Sequence, residues 1–506
     1  MTNRTEELII SSEESTSPRP LRIVQVAPDY YPVPPLNYGG IERVVYNLTE
    51  QLVKLGHEVY LYAPKGSKSS ATIINYEHIM PNPQNIVDFV VKTLPDNIDI
   101  IHDHTHASVI GRKKLTIPTV CTIHSCTYND VDYPIYVSKR ALEVCGKNNG
   151  LLVYHGIDIN EYEFSDEKDD YLLFLGAVSS HKGPDYAIEV AEKTNQKLII
   201  AGPVFNREYY AKELEPRIQN NPNIHYIGEV GGQDRQNIFK KAKCFLFPTC
   251  CEEPFGLVMI EAMACGTPVL AFPNGAVPEV LRGFPNLICS SVDEMVLKIN
   301  SNEFPESKLL REYVVNNFTI DIMAREYVNI YNKILTEEVN YNYGNELKQN
   351  GKFTNAIEYY NKFLLSSNLP QRHKIKLCFE IADLYFNLND FRKEREFNLK
   401  SFEYDTPRAE FCCRIGYQFL QNNEIDKAIF WYTLATQLEK PILKEEILSE
   451  CCWTWLPHIQ LCVCYYKTGN YQKSYTHNEI ARSFIPTDER ILYNKELLER
   501  ILKNDR

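Results

Sequence analysis

Short apolar runs alternate with helical stretches along the first two-thirds of this chain, and the alternation starts again after a break. Strands that alternate with helices in this way form parallel sheets with helices on both faces. The chain therefore predicts two doubly wound α/β domains, residues 19–160 and 161–338, which meet at the acidic run 161–170. The runs predicted as strands are 22–28, 56–62, 98–102 and 118–124 in the first domain, and 171–176, 197–202, 224–228, 244–248 and 268–272 in the second.

After about residue 339 the strand pattern stops and pairs of helices recur. Tight-turn markers at 351–353, 389–391, 423–425 and 469–471 lie 38, 34 and 46 residues apart. Each precedes a helix with small and aromatic residues at fixed offsets, for example Ala356 before Tyr360 and Ala428 before Tyr432. The spacing resembles that of tetratricopeptide (TPR) repeats, whose period is roughly 34 residues. We expect residues 339–506 to form an all-α, TPR-like domain, with a generic helical bundle as the alternative.

Charge and cysteine content restrict the partners and the compartment. Lysine and arginine number 54 against 66 aspartates and glutamates, a net charge of −12, which argues against a nucleic-acid partner. The fifteen cysteines include no C-x2-C pair, so we expect reduced thiols and a cytoplasmic location, in a host cytoplasm if the source is viral. No apolar run is long enough for a membrane span. Residues 1–18 are polar and are predicted to be disordered.

The stretch 251–268 contains the strongest candidate site. Glu253 and Glu261 lie eight positions apart across the predicted start of a helix, with Pro254 in its first turn and Gly266 at its stop. At a rise of about 1.5 Å per residue they are roughly 12 Å apart, the reach from a ribose across a diphosphate to a sugar. The free N–H groups of a helix start form an anion site. In the alternative interpretation this is an amphipathic helix with two solvated glutamates. The free N–H groups at the predicted helix start, which would form the anion site, belong to Phe255, Gly256 and Leu257.

The whole stretch resembles the E-x7-E signature of retaining glycosyltransferases of family 4, which have two Rossmann-like domains (the GT-B fold). The resemblance implies a nucleotide-diphosphate sugar as substrate, mainly electrostatic catalysis and no required metal or other cofactor. It also implies roles for residues outside the stretch, at positions that match family motifs. The catalytic candidates are His124, Glu253 and Lys182; the donor-binding candidates are Gly39, Gly40, Lys182, Glu253, Phe255, Gly256, Leu257 and Glu261.

Two segments depart from the family pattern or invite another interpretation. Ala177 stands where the family has an arginine, which removes a cation from the leaving-group site and could shift its load to His181 or Arg235. The alternate histidines of residues 102–106 would share a strand face, but a metal site is disfavoured because the family uses cationic side chains instead. Asp103 or His104 is predicted to line the acceptor cleft. The turn at 154–158 is predicted to be structural.

These observations predict a retaining hexosyltransferase that uses a UDP-sugar, with UDP-glucose favoured. The acceptor would be a glycan, a peptide or protein, or a small molecule, and the TPR-like repeats would bind the acceptor or a protein partner. Two alternatives remain. One is a weakly active or inactive scaffold that acts through its repeats, and the other is a sugar-nucleotide epimerase or hydrolase.

Overall fold

The computed structural model describes residues 19–76, 83–127, 129–365, 369–441 and 447–504. The predicted disordered tail, residues 1–18, lies outside the described residues. The chain divides into two compact units, the first ending at Leu335 and the second beginning at Thr336. We call the first the transferase unit, after the family that its sequence resembles, and the second the repeat unit, and each is described by itself.

The first sheet of the transferase unit has seven parallel strands in the order β3-β2-β1-β4-β5-β6-β7. β1 pairs with β2 on one side and with β4 on the other, so the strand order reverses there. Clefts form outside the carboxyl ends of strands at such a switch point. The elements are β1 (Arg22–Val26), α1 (Gly40–Lys54), β2 (Glu58–Pro64), β3 (Thr72–Tyr76), α2 (Pro83–Thr93), β4 (Ile100–Asp103), β5 (Thr119–Ile123), β6 (Tyr133–Tyr136), α3 (Lys139–Val144) and β7 (Leu151–Leu152).

The second sheet has five parallel strands in the order β10-β9-β8-β11-β12. Most residues of these strands are buried because helices cover both faces, as near-continuous apolar runs predict; Lys197 and His225 are exposed. The elements are β8 (Tyr171–Leu175), α4 (Pro184–Thr194), β9 (Lys197–Ala201), α5 (Arg207–Tyr209), α6 (Glu215–Asn220), β10 (Ile224–Tyr226), α7 (Gly232–Lys241), β11 (Cys244–Phe247), α8 (Leu257–Ala264), β12 (Val269–Ala271), α9 (Val277–Val280), α10 (Val292–Ser301) and α11 (Ser307–Asn317). The predicted pair of doubly wound domains is confirmed.

The next helix, α12 (Ile320–Gln349), returns to the first sheet. Met323, Tyr327 and Tyr331 are buried in the same apolar cluster as Ile23 of β1 and Leu48 of α1. The range 161–338 predicted for the second domain therefore includes residues that complete the core of the first. Pairing of distant segments in this way has no signal in the local sequence.

The repeat unit consists of packed helices, as the helix-pair pattern predicts. Phe353, Phe391, Ile425 and Tyr471, the last residues of the four markers, each begin the second helix of a pair. Ala356 and Ala428 are fully buried at the helix contacts. No helix among the described residues is long and apolar enough to cross a bilayer. The helices are α13 (Phe353–Leu364), α14 (Gln371–Asn387), α15 (Phe391–Lys400), α16 (Ala409–Gln421), α17 (Ile425–Gln437), α18 (Leu456–Lys467), α19 (Tyr471–Phe484) and α20 (Glu489–Asn504).

Candidate functional site

A cleft of about 200 Å³ lies between the two domains of the transferase unit, and we call it the interdomain cleft. The first domain lines it with the turn before α1, and the second with the loops after β8, β9 and β11 and with the first turns of α8. Of the residues predicted to bind a donor, the cleft brings together seven: Gly39, Gly40, Lys182, Glu253, Gly256, Leu257 and Glu261.

Helix α8 starts later than the sequence predicts. It begins at Leu257, with Gly256 as its N-cap at φ 87°, so Pro254 precedes the helix instead of occupying its first turn. Glycine suits this position because the left-handed region is open to it without a side-chain penalty. Leu257 and Val258 both line the cleft, which brings the start of α8, with the partial positive charge of a helix N-terminus, to its wall. Phe255 is buried beside the cleft.

Glu261 is held rigidly on α8. It is only 1% exposed, and Arg235 of α7 binds it with both guanidinium nitrogens, Nη1 to Oε1 at 3.0 Å and Nη2 to Oε2. The Tyr162 hydroxyl donates to Oε1 at 2.9 Å. Burial opposes the charge on Arg235, but the adjacent carboxylate outweighs it and raises the pKa of the guanidinium. The carboxylate is therefore oriented by three hydrogen bonds and presented at the cleft wall.

Glu253 and Lys182 form the second ion pair of the cleft, with Lys182 Nζ 2.5 Å from Glu253 Oε2. Burial disfavours the ammonium charge, but the carboxylate outweighs burial and raises the pKa of Lys182. The backbone of Glu253 is fixed by the loop after β12, where the Ala276 N–H donates to the Glu253 carbonyl at 2.8 Å. Gly275 passes so close that a Cβ there would lie 2.1 Å from the Glu253 nitrogen.

The glycine turn of the first domain faces these pairs across the cleft. Gly39 caps α1 at φ 144°, and a Cβ there would lie 2.7 Å from Pro35. Arg43, one turn into α1, also lines the cleft. Its Nη2 donates to the carbonyl of Asn37 at 3.3 Å, and no carboxylate forms an ion pair with it within the described ranges. Arg43 is thus a cation at the cleft that is paired with neither Glu253 nor Glu261, although its charge acts on the more distant carboxyl of Glu161.

The departure at Ala177 has a clear structural context. Ala177 is 4% exposed and lines the cleft, so an arginine side chain at this position would have faced the same space. Of the two residues expected to take over its charge, Arg235 is bound to Glu261, and His181 does not line the cleft. Arg43 was not predicted as a site residue, although its position three residues after Gly40 is a usable signal.

Four histidines form a row at the end of the first sheet. The ring centroids of His102 and His104 are 3.8 Å apart, those of His104 and His124 5.3 Å, and those of His124 and His155 5.2 Å. Burial lowers the pKa of all four, that of His155 to about 3, so the imidazoles are neutral at pH 7. No cluster of three or more metal-ligating side chains suited to an ion occurs in the described part of the chain.

Asp103 and His104, predicted to line an acceptor cleft, are both fully buried. Asp103 Oδ1 accepts from the N–H and the hydroxyl of Thr105, at 2.8 and 2.7 Å. Its Oδ2 accepts from the N–H groups of Ile110 and Gly111, at 2.8 and 3.1 Å. The carboxylate holds the loop after β4 in place, and with its oxygens used in this way it does not face a substrate. This corrects the prediction for Asp103.

Comparison with known proteins agrees with this architecture. Residues 158–317 match the family described as glycosyl transferases group 1, residues 38–147 match glycosyltransferase family 4, and residues 337–367 match a tetratricopeptide repeat. An uncharacterized glycosyltransferase of Methanocaldococcus jannaschii is 26% identical over 395 residues, which cover 62% of this chain and 98% of that protein.

Solved structures share the two-domain fold. A glycosyltransferase involved in avilamycin A biosynthesis is 27% identical, with a TM-score of 0.54 over 63% of this chain and 98% of that one. Anabaena HepE, in complex with UDP-glucose, is 18% identical, with a TM-score of 0.52 over 62% of this chain and 100% of that one. The chain is therefore a glycosyltransferase with the GT-B fold. It carries group 1 and family 4 domains, followed by a helical region with a tetratricopeptide repeat.

Proposed function

We propose that the protein transfers a hexosyl group from a UDP-sugar, with UDP-glucose as the favoured donor, and that it retains the anomeric configuration. The observation that carries this proposal is the pair of oriented carboxylates, Glu253 and Glu261, each paired with a cation in one cleft beside the start of α8. Carboxylates of this kind accept hydrogen bonds from sugar hydroxyls, and the helix start favours phosphate.

Each group then has a role that follows from its surroundings. Glu261, fixed by Arg235, binds the ribose hydroxyls, and Glu253 binds hydroxyls of the transferred sugar. When the donor binds, Lys182 leaves its ion pair with Glu253 and contacts the diphosphate instead. There it stabilises the negative charge that develops as the diphosphate leaves. The first turn of α8 and the glycine turn at Gly39 approach the same phosphates.

Arg43 supplies the second cation of the site, in place of the arginine that the family has at the position of Ala177. It faces the cleft from α1, one turn beyond the glycine turn, and has no carboxylate partner among the described residues. The leaving group is then held between a lysine of the second domain and an arginine of the first. Closure of the two domains would strengthen this arrangement, because both cations are less screened when water is excluded.

The repeat unit is proposed to hold the acceptor or a protein partner. A groove of about 410 Å³ lies within it, and α14, α16 and α18 line this groove with Phe386, Arg414, Tyr417 and Gln460. Tyr417 and Phe386 expose about two-fifths of their surface, an arrangement suited to contact with another chain. Tyr417→Ala is expected to reduce transfer to the native acceptor and to leave donor affinity unchanged. Unaltered acceptor turnover would rule out the acceptor role of this groove and leave the protein partner as its occupant.

Calorimetric titration tests the donor site directly. UDP, GDP, UDP-glucose, UDP-N-acetylglucosamine, UDP-galactose and GDP-mannose are compared on the wild type, on Lys182→Met and on Glu261→Gln. The matched control is Lys212→Met, at an exposed surface pair with Glu208. Selective binding of UDP-sugars that only the first two variants weaken supports the proposal. Absence of binding at millimolar ligand by folded protein supports the scaffold alternative, to which the missing arginine at Ala177 points.

A further inference from the structure

Two cysteines lie side by side on the wall of the groove in the repeat unit. Cys413 belongs to α16, and Cys452 belongs to a short 3₁₀ turn, Glu450–Trp453, that precedes α18. Both are free thiols, and both line the groove of about 410 Å³. Each residue is at most 6% exposed, so the protein surrounds the pair on its other sides. The groove therefore gives a small solute access to two thiols that are otherwise enclosed.

A buried carboxyl group holds this turn against α16. Oε1 of Glu410, a fully buried residue of α16, accepts from the N–H groups of residues 448 and 449, at 3.0 and 3.3 Å. The same oxygen accepts from the indole N–H of Trp453 at 2.6 Å. One oxygen thus fixes the chain on both sides of Cys452. The position of Cys452 beside Cys413 is set by these three hydrogen bonds and not by the thiols alone.

A hydrogen bond between the two thiols makes them chemically unequal. The S–H group of Cys413 donates to Cys452, which lowers the pKa of Cys452 below its usual value although burial opposes this. The same bond raises the pKa of Cys413 well above its usual value, and burial adds to the increase. Ser449 and Cys451 also donate to Cys452. Cys452 is therefore the sulfur of the pair that ionises first, and the thiolate is the nucleophilic form of cysteine.

Other buried thiols of the chain lie in a different environment. Burial raises the pKa of both Cys289 and Cys378 to about 12. Neither of them lines the groove. A buried thiol in apolar surroundings stays protonated and is inert. Oxidation of the folded chain should therefore begin at Cys452 before it reaches such core thiols.

The geometry also selects the partner of Cys452. Cys451 is its neighbour in sequence, and adjacent Cα atoms are about 3.8 Å apart, closer than the roughly 4.4–6.8 Å of ordinary disulfides. Cys413 comes from another element, and its thiol already contacts that of Cys452. A bond between Cys413 and Cys452 would join the turn to α16 across the wall of the groove.

We propose that Cys413 and Cys452 form a redox-modification site, which hydrogen peroxide converts reversibly into a disulfide that fixes this wall of the groove. The Cys452 thiolate attacks one peroxide oxygen and the O–O bond breaks. Cys452 becomes a sulfenic acid, and the other oxygen leaves as hydroxide and takes up a proton to form water. This inference does not depend on the proposed function, because no sugar nucleotide takes part.

The second step closes the bond. The Cys413 sulfur attacks the Cys452 sulfur, the S–S bond forms and the S–O bond breaks. The departing hydroxide takes the proton of Cys413 and leaves as a second water molecule. The two sulfurs together lose two electrons, which reduce one peroxide to two waters. A dithiol reductant restores both thiols by thiol–disulfide exchange and is itself oxidised to a disulfide.

Disulfide mapping on the full-length protein is the first test. The reduced protein is treated with a small excess of hydrogen peroxide, free thiols are alkylated in denaturant, and the unreduced digest is analysed by mass spectrometry. We expect a linked peptide pair that contains Cys413 and Cys452, its loss after dithiothreitol, and continued alkylation of Cys289 and Cys378. Absence of this pair at every peroxide concentration that leaves the protein folded overturns the inference. Linkage of Cys452 to another cysteine also overturns it.

Single substitutions separate the two roles. In Cys413→Ser the sulfenic acid of Cys452 has no partner, so dimedone, which labels sulfenic acids, should mark Cys452. In Cys452→Ser the labelling of Cys413 should be about tenfold weaker, because that thiol stays protonated. Cys462→Ser is the matched control, since Cys462 is a buried thiol of the same unit that lies 3.4 Å from the Ser474 hydroxyl. It should form the linked pair as the wild type does. Equal labelling of Cys413 and Cys452 would contradict the choice of nucleophile.

Stability gives an independent readout of whether the bond fixes the groove wall. A cross-link restricts the unfolded chain, so the oxidised repeat unit should unfold at a urea concentration about 1 M higher than the reduced one. Circular dichroism follows unfolding of both forms of the wild type. Peroxide-treated Cys413→Ser controls for oxidation at other sites and should show no increase. Equal midpoints for the two wild-type forms, with the linked pair present, would refute the claim that the disulfide fixes this wall.

Discussion

Glycine at position 275 holds the loop against Glu253, and replacing it with alanine perturbs the site without touching a functional side chain. Its φ is 59°, and the added Cβ would lie 2.1, 2.3 and 2.7 Å from the nitrogen, oxygen and Cα of Glu253. These are backbone atoms, which cannot rotate away. Ordinary contact begins at 3.4 Å, so one of the two segments must move by 1.3 Å.

The expected cost has two parts. Alanine in the left-handed region costs about 1–2 kcal/mol, and overpacking of a tight contact costs about 1–3 kcal/mol more. Gly56→Ala is the matched control, because Gly56 belongs to the same unit, has a φ of 89°, and an added Cβ there meets nothing within 4 Å. The two variants share the first cost, so Gly275→Ala should be less stable than the control by about 1–3 kcal/mol.

Function should change in parallel. A hydrogen bond to a charged group is worth about 1.5–3 kcal/mol, so displacement of Glu253 should weaken UDP-glucose binding by roughly tenfold or more. UDP binding, which depends on Glu261, should stay within twofold. Calorimetric titration gives the affinities. Urea unfolding followed by circular dichroism gives the stabilities, with the transferase transition identified by its shift on addition of UDP. If Gly275→Ala matches Gly56→Ala in stability and in UDP-glucose affinity, the account of this loop is wrong.

Three further outcomes are expected. Arg235→Met should destabilise the transferase unit by about 3–5 kcal/mol because it leaves the buried carboxylate of Glu261 without its cation. Tyr162→Phe should cost only about 1 kcal/mol, the loss of one hydrogen bond. Similar losses of unfolding free energy in urea would contradict this ranking. Arg43→Gln should weaken UDP binding and flatten its dependence on salt, measured by titration between about 50 and 300 mM NaCl, a range that brackets the roughly 10 Å Debye length at about 0.1 M. An unchanged salt dependence would remove Arg43 from the site. Burial lowers the pKa of His155 to about 3, so this neutral ring stabilises the fold above its unfolded value near 6.5 and loses that contribution as pH falls below it. His155→Phe should therefore make thermal stability less sensitive to acid between pH 6.5 and 4, and an identical pH profile would refute the assignment.

The fold could be predicted where strands are buried on both sides. All five strands of the second sheet coincide with predicted runs: β8, β11 and β12 are continuous apolar segments, β9 is apolar after Lys197, and β10 has only His225 between two apolar residues. In the first sheet the runs that were predicted are β1, β2, β4 and β5. β3 is an edge strand in which only Tyr76 is buried, and β7 has only two residues. β6 is fully buried but was not predicted, because it is a run of only four residues that contains Pro134.

The site residues also fall into those that a local sequence pattern reveals and those that it does not. Glu253, Glu261 and Lys182 were predictable because their motifs are local, and the structure brings them into one cleft. Their partners were not, since Tyr162 meets Glu261 across 99 residues of sequence. The sequence also led to a structural role for the turn that contains His155. Its contact with His124 depends on how two loops meet, which no local spacing reveals.

The return of α12 to the first sheet has a consequence for how the chain is made. The first domain ends its sheet at Leu152, but the residues that cover its apolar face, from Met323 onward, are translated later. At about 5–20 residues per second, roughly 170 residues take about 10–30 s to synthesise. During that interval the nascent first domain exposes the surface that α12 will occupy. Release from the ribosome before α12 is made would leave a first domain with an exposed apolar surface, which is prone to aggregate. The first domain therefore depends on α12, which follows the second domain in the chain, to cover that surface.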